Sequence, residues 1–404
     1  MTRVILDISR LISRVRYSTP SGVDRVEMAY ARGLMRLYGD ALSFAAVHPT
    51  GLYGRISHAT ASAYLEELEQ RWAKGGVEPR QRSIMSILPW MARLLPKPPR
   101  SLTAAERPVY IQVSPHHLTN ARKVQSILAR ENARFLCMVH DLIPIEYPEY
   151  ARPSGAALHS RRMQTLADHA DAVIVNSAAT GHAFRSWIKR SCRQIALHVS
   201  LLGTEPLADV AHGNPSDDRP YFVCLGTIEP RKNHLLLLNL WRHFAEILPA
   251  SNIPRLVIIG KRGWENEQVL DMLDRCPALK PHVEEVSGCS DAQLSALLRG
   301  ARALLMPSFA EGFGMPVAEA LSVGVPVMCS DIPAHHEVGG TVPDYVDPLD
   351  GPGWKVLIQD FAIRGPSYQA QQMRMPHWHK PTWAEHMEIV GKAIASLADT
   401  AAPR

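Results

Sequence analysis

The chain has 404 residues, 46% of them apolar and 21% charged, with a formal net charge of +5. That length is too great for one ordinary core and points to two domains of roughly 150 to 200 residues, and the composition excludes a disordered chain. The modest positive charge, without a long Lys/Arg run, excludes nucleic acid as the natural partner and suits an anionic small substrate or an anionic membrane surface.

Residues 1–9 offer no apolar stretch adequate for a secretory leader, and Asp7 falls inside the first apolar run. No segment reaches the ~18 uninterrupted apolar residues of a membrane span. In the first half, apolar runs at 4–8, 43–47, 108–113, 134–139 and 172–175 read as strands, with helical patterns between them at 23–37, 120–130 and 178–188. In the second half the strands read 221–225, 255–259, 283–286, 303–306 and 325–328, and the helices 235–247, 292–298 and 317–321. Continuous Val/Ile/Leu runs separated by helices imply parallel sheets covered on both faces. Two such series make the fold class α/β, with two Rossmann-like doubly wound domains facing a central cleft. The expected division is an N-terminal domain over 1–205, a Pro/Gly/Asp-rich linker over 206–220, a C-terminal domain over 221–380, and a helix over 381–404 that returns to the first domain. Residues 365–380 read as an irregular polar stretch.

Segment 84–95 breaks the pattern. Ile84, Met85, Ile87, Leu88, Trp90, Met91, Leu94 and Leu95 are flanked by Arg80, Arg82, Arg93, Lys97 and Arg100. Such a segment fits an insertion helix packed on its own domain, or peripheral contact of 84–100 with an anionic inner-membrane surface. The six cysteines, at 137, 192, 224, 276, 289 and 329, form no CxxC pair and read as reduced structural thiols. Reduced thiols place the chain in a bacterial-type cytoplasm or on the inner face of its membrane.

The stretch Pro307-Ser-Phe-Ala-Glu311-Gly312-Phe313-Gly314-Met315-Pro316-Val317-Ala-Glu319 carries the most chemistry. It follows an expected strand. Gly312 and Gly314 let backbone approach a ligand, and Pro316 suits the first turn of a helix. A helix N-terminus aimed into the cleft is an anion site suited to a diphosphate. Glu311 before the helix and Glu319 about one turn inside it can grip the hydroxyls of a sugar and a ribose. The bland reading of both is a solvated helix start.

The spacing of Glu311 and Glu319 around Gly312-Phe313-Gly314 resembles the paired-glutamate signature of family four retaining glycosyltransferases, the glycosyl transferases group one, whose fold is GT-B. Further segments resemble that family in order. They are Ser21-Gly22-Val23-Asp24-Arg25, Val139-His140-Asp141-Leu-Ile-Pro144, Val175-Asn176-Ser177, Phe222-Val-Cys-Leu-Gly226-Thr-Ile-Glu-Pro-Arg231-Lys232-Asn233, Leu256-Val-Ile-Ile-Gly-Lys-Arg-Gly-Trp264, Ser330-Asp-Ile-Pro-Ala-His-His-Glu-Val-Gly339 and Val346-Asp-Pro348.

The resemblance implies that Arg231 and Lys232 clamp the donor diphosphate, where fixed cations stabilise the charge of the leaving group. It implies that Glu319 holds the ribose and that Glu311 sits by the donor sugar. Gly22, Gly226, Gly312, Phe313, Gly314, Met315, Pro316 and Val317 complete the donor-binding set. His140 and Asp141 face the acceptor, with loop capping an equal reading for Asp141, and His140, Glu311, Arg231 and Lys232 form the catalytic set. Lys261 and Arg262 fit a solvated loop as well as a donor contact. No Asp-x-Asp motif is present, so no metal and no cofactor is expected. The implied partners are a nucleotide sugar and a glycan or lipid-linked glycan acceptor. The leaving phosphate would help deprotonate the acceptor hydroxyl on the same face, without a covalent nucleophile.

The motifs Gly-Thr-Ile-Glu-Pro-Arg-Lys-Asn, Gly-Lys-Arg-Gly-Trp and His-Asp-Leu-Ile-Pro resemble bacterial mannosyltransferases of surface polysaccharide synthesis, which favours GDP-mannose. The alternatives are a UDP- or dTDP-sugar donor, a nucleotide-sugar epimerase of the same fold, or a carbohydrate-binding partner without catalysis. A nicotinamide dehydrogenase would need a third glycine that Gly312-Phe-Gly314 lacks. Residues 201–206 depart from the family's Pro-x-Gly-Val-Asp pattern at the hinge, and 49–107 match no motif.

Overall fold

A computed structural model describes residues 2–74, 84–98, 107–207 and 219–399. Residues 208–218 of the expected linker lie outside the described residues, as do Arg80, Arg82, and residues 99 and 100 at the end of the expected membrane segment. The chain divides into two units, Met1–Gly203 with Thr382–Arg404, and Thr204–Pro381.

Among the described residues the first unit carries β1 (Val4–Asp7), β2 (Leu42–Val47), β3 (Tyr53–Ile56), β4 (Val109–Gln112), β5 (Arg134–Val139), β6 (Ala172–Val175) and β7 (Ala196–Val199). They form one sheet in the order β3-β2-β1-β4-β5-β6-β7, parallel except for the β2–β3 pair. β1, β4 and β6 are buried at every residue, as helix-covered parallel strands must be, whereas edge strand β7 is not. The second unit carries β8 (Tyr221–Leu225), β9 (Arg255–Ile259), β10 (Val283–Val286), β11 (Ala303–Met306), β12 (Val327–Ser330) and β13 (Asp344–Val346). Its sheet is parallel throughout, in the order β10-β9-β8-β11-β12-β13.

That order reverses direction between β8 and β11, and in the first unit between β1 and β4. Ligands of open α/β sheets bind outside the carboxyl ends of the strands at such a switch point. Each unit has its own aromatic-rich core: Tyr110, Phe135 and Phe184 in the first, and Phe222, Trp241, Phe244, Trp354 and Phe361 in the second.

Helix starts follow side-chain capping. Ser21, Asn120, Ser177 and Ser290 each accept the backbone N–H three residues on, satisfying groups the helix leaves open. The helix Trp383–Asp399 packs in the first unit, against the helix Gly22–Tyr38 and strands β4 and β6. His386 anchors it from a fully buried position. Its Nε2 lies 2.8 Å from the Tyr30 hydroxyl and its Nδ1 2.9 Å from both the Ser200 hydroxyl and the Leu201 carbonyl.

Two expectations need correction. Residues 365–380 are not irregular: they hold the helix Pro366–Arg374 and a short turn, Met375–His377. The cause is tertiary. Buried Gln371 accepts from the Val327 N–H at 2.5 Å and donates to the Val327 carbonyl at 2.9 Å and to Asp344 at 2.7 Å, fastening the helix to β12. The strand expected at 325–328 runs Val327–Ser330, where its carbonyls and N–H groups meet β11 and β13. Strands β3, β7 and β13, all at sheet edges, are short and interrupted by polar residues or glycine, so patterning does not mark them.

Candidate active site

In the second unit, the loops after β8 and β11 converge at the switch point. The turn Pro230–Lys232 follows β8, and Glu311 lies in the loop after β11. Lys232 Nζ is 2.5 Å from Glu311 Oε1, and Arg231 Nη1 is 2.7 Å from Glu311 Oε2. Arg231 Nη1 also donates to the Ala310 carbonyl at 3.0 Å, and the Ser308 hydroxyl donates to Glu311 Oε1 at 2.8 Å. Lys232 is only 7% exposed, and a lysine is so buried only when its charge is compensated.

Glycine is required beside this cluster. Gly226, at the end of β8, has φ +144°, and a Cβ there would lie 3.2 Å from Lys232 Cε. Gly314 has φ +98° and caps the helix Met315–Ser322 in the left-handed conformation, where a Cβ would lie 3.1 Å from His335 Cδ2. Pro316 and Val317 stand in that helix's first turn, Phe313 is buried, and Gly312 and Met315 are partly exposed. Glu319 lies further along the same helix, half-buried.

Electrostatics separates the carboxylates. Burial pushes the Glu311 pKa up, but Arg231, Lys232 and His335, with the lysine hydrogen bond, overcome this and hold it well below the ordinary carboxylate range. Burial raises that of Glu229, only partly offset by Arg231 and Lys232. His335 is fully buried with its Nδ1–H donating to the Ser330 carbonyl at 2.9 Å. Burial lowers its pKa, and its Nε2 has no hydrogen-bond partner among the described residues.

Sequence reasoning assigned no role to Glu229, Ser308 or His335. Glu229 was visible two residues before Arg231 in the quoted motif, but its pairing depends on the turn. Arg262 takes a surface role instead: its Nη2 is 2.6 Å from Asp274 and 2.8 Å from Glu285, an exposed ion-pair network.

The first unit holds the remaining candidates. Gly22 opens the helix Gly22–Tyr38 behind Ser21, which makes a capping box with Asp24. Asp24 is buried, and Arg10 and Arg14 contact it at 2.6 and 3.1 Å. His140 lies at the carboxyl end of β5 and donates from Nε2 to the Val113 carbonyl at 2.8 Å, leaving the lone pair on Nδ1. Burial lowers its pKa, opposed by the Val113 hydrogen bond and Asp141, with Arg10 adding to the lowering. Arg10 also donates to the Ser21 hydroxyl at 3.1 Å, beside Gly22. Asp141 accepts the Ile143 N–H at 3.1 Å through its side chain, and its carbonyl accepts from His159 at 3.0 Å, so it shapes the loop. Among the described residues no group of three or more His, Cys, Asp and Glu could hold a metal ion, and no helix is long and apolar enough to cross a membrane. All six cysteines are free.

Residues 209–340, which contain the whole Arg231–Lys232–Glu311 cluster, match the family described as glycosyl transferases group 1. That match lies wholly within the second unit. The chain is 30% identical over 226 residues to a serotype-specific mannosyltransferase of Escherichia coli, WbdA, an alignment covering 52% of this chain and 27% of that protein. It is 36% identical over 132 residues to the O-antigen chain mannosyltransferase B of Escherichia coli, covering 32% of this chain and 33% of that one. The matched stretches therefore span about a quarter to a third of the length of these two relatives.

Among solved structures it resembles a sucrose-phosphate synthase from Thermosynechococcus elongatus, with TM-score 0.64, 15% identity, and 98% of this chain and 99% of the other covered. It also resembles Anabaena HepE solved with UDP and glucose, with TM-score 0.58, 16% identity, and coverages of 98% and 97%. These likenesses show the fold, which is GT-B.

Proposed function

We propose that the chain is a retaining glycosyltransferase that moves a sugar, mannose from GDP-mannose as first choice, onto a hydroxyl of a glycan or lipid-linked glycan during bacterial surface polysaccharide synthesis. The observation that carries this reading is the Arg231–Lys232–Glu311 cluster at the switch point of the group 1 domain. Two preorganised cations there suit a leaving group that gains negative charge, and they need no reorganisation at the moment of reaction. In the proposed step the bond from the anomeric carbon to the β-phosphate oxygen breaks. The acceptor oxygen bonds to that carbon on the same face, and its proton passes to the departing phosphate. Glu319 takes the ribose hydroxyls and Glu311 the donor sugar. His140, with Nδ1 as a neutral acceptor, faces the acceptor side. The cations come from side chains, so the reaction is proposed to be metal-independent.

Mannose is favoured by the mannosyltransferases that the chain resembles. A UDP-sugar is the second reading, favoured by the UDP and glucose of the HepE structure. We further propose that the enzyme works at the cytoplasmic face of the membrane, touching anionic lipid through residues 84–98.

Thermal shift of the purified chain against GDP, GDP-mannose, UDP and UDP-glucose, without added metal, tests the assignment. A ligand at a hundredfold excess over its Kd should stabilise by roughly 3 kcal/mol. GDP and GDP-mannose should raise the midpoint, Glu319→Ala should abolish the response while leaving the unliganded midpoint within a few degrees, and Lys232→Ala should abolish the response too. A response to UDP ligands alone overturns mannose but keeps the fold and the clamp. Silence toward all four nucleotides sinks the transferase reading.

A further inference from the structure

Arg231 is held by two carboxylates of different kinds. Glu229 Oε1 lies 2.7 Å from Arg231 Nε, while Glu311 Oε2 lies 2.7 Å from Nη1. A planar guanidinium bonded at two separate nitrogens is fixed in both position and plane. Glu311 divides its charge between Arg231, Lys232 and the Ser308 hydroxyl. The Glu229 side chain is 4% exposed and starts the turn that carries both cations. The loop after β9 closes against it, since a Cβ on Gly263 would lie 3.3 Å from Glu229 Cβ.

We propose that Glu229 is a positioning residue of the diphosphate clamp, holding the Arg231 guanidinium from its Nε edge while Glu311 yields its hold on the cations to the donor. The proposal rests on the reading of Arg231 and Lys232 as that clamp. An arriving diphosphate carries the same sign as Glu311 and seeks the same nitrogens, so Glu311 and the ligand compete. Glu229 binds a different nitrogen and stays.

The pair is mutually locking. A buried carboxylate without its cation costs several kcal/mol, so Arg231 cannot swing away cheaply. Burial already pushes the Glu229 pKa up, and Arg231 is the larger of the two cationic influences that keep its charge. A cation held in place before the leaving group develops its charge lowers the barrier more than it strengthens ground-state binding.

The test is a double-mutant cycle in the full chain. Turnover is followed as nucleotide release from whichever of GDP-mannose and UDP-glucose the wild type uses, and binding with the matching diphosphate, GDP or UDP. Glu229→Gln keeps the length and one acceptor oxygen but loses the charge. It should lower kcat by about tenfold or more while weakening diphosphate binding by less. Added to Arg231→Ala, it should change turnover by no more than about twofold, because it acts through that arginine. If Glu229→Gln does not give the wild-type circular dichroism spectrum, Glu229→Asp replaces it, and that variant should recover part of the activity relative to Glu229→Ala. Wild-type kcat in Glu229→Gln, or losses that multiply in the double variant, overturns the positioning role. A wild type that neither binds GDP or UDP nor turns over either donor overturns the clamp reading and the proposal with it.

Discussion

Glu27 is a carboxyl group shut inside the first unit. It is fully buried in the helix Gly22–Tyr38, with the Ser114 side chain as its hydrogen-bonding neighbour. Burial pushes its pKa up to about 8, with Asp7 and Asp24 adding and Ser114 and Arg10 opposing. The unfolded chain releases this proton near its ordinary value of 4.5, so the native state binds an extra proton from there up to about pH 8. Stability from this group is complete below that window and is lost as pH rises through it, by up to about 1.4 kcal/mol per pH unit. Urea unfolding from pH 5 to 8 should show this slope in wild type and a flatter one in Glu27→Gln. Equal slopes would mean that Glu27 ionises normally. Nothing in the amphipathic pattern marks Glu27 as buried, since a glutamate in a helix is ordinarily read as solvated. The Arg231–Lys232–Glu311 set lay in quoted motifs, yet the mutual ion pairing of its members depends on loops from two different strands meeting.

At the scale of the element, the helix Ile84–Arg93 has a packed side and an exposed side. Ile87 and the following Leu94 are buried, and Trp90 meets Tyr64 edge-on at 5.3 Å, so one side packs on its own unit. Met85 is 77% exposed, and Leu88 and Leu95 are about half exposed, beside exposed Arg93 and Lys97. The two readings of this segment are therefore compatible: one face packs and the other is available to lipid. Each apolar side chain inserted contributes about 1.5–3 kcal/mol, and each cation near an anionic surface about 1 kcal/mol. The chain should cosediment with vesicles containing phosphatidylglycerol and less with pure phosphatidylcholine. Met85→Asp with Leu88→Asp should weaken this at least tenfold without changing the thermal midpoint by more than a few degrees. Undiminished cosedimentation of the double variant would assign lipid contact elsewhere. Periodicity marks this helix as amphipathic, but only its packing partner tells which apolar residues remain outside.

At the scale of the whole molecule, the first unit is built from both ends of the chain. Met387, Val390, Ile394 and Leu397 are buried in it, and His386 contacts Tyr30 and Ser200. Losing four buried apolar side chains is comparable with the stability of a whole domain. A chain ending at Pro381 should therefore have a first unit cleaved rapidly by protease while peptides of the second unit stay protected. Equal protection of both units would show that the helix Trp383–Asp399 is dispensable.

Apolar runs alternating with helical patterns sufficed by themselves to determine the α/β class, because parallel strands covered on both faces must be continuously apolar. Gly312, Gly314 and Pro316 likewise marked the start of a helix as a candidate anion site, because close backbone approach and a free first turn need those residue types. Tertiary structure alone decided that Gln371 turns a polar stretch into a helix and that Glu229 and Glu311 share Arg231. It also decided that Glu27 is shut away from water. Apart from the Glu229–Arg231 pair within one turn, each of these rests on contact between residues far apart in sequence, and local pattern carries no information about which distant partner will satisfy a polar group.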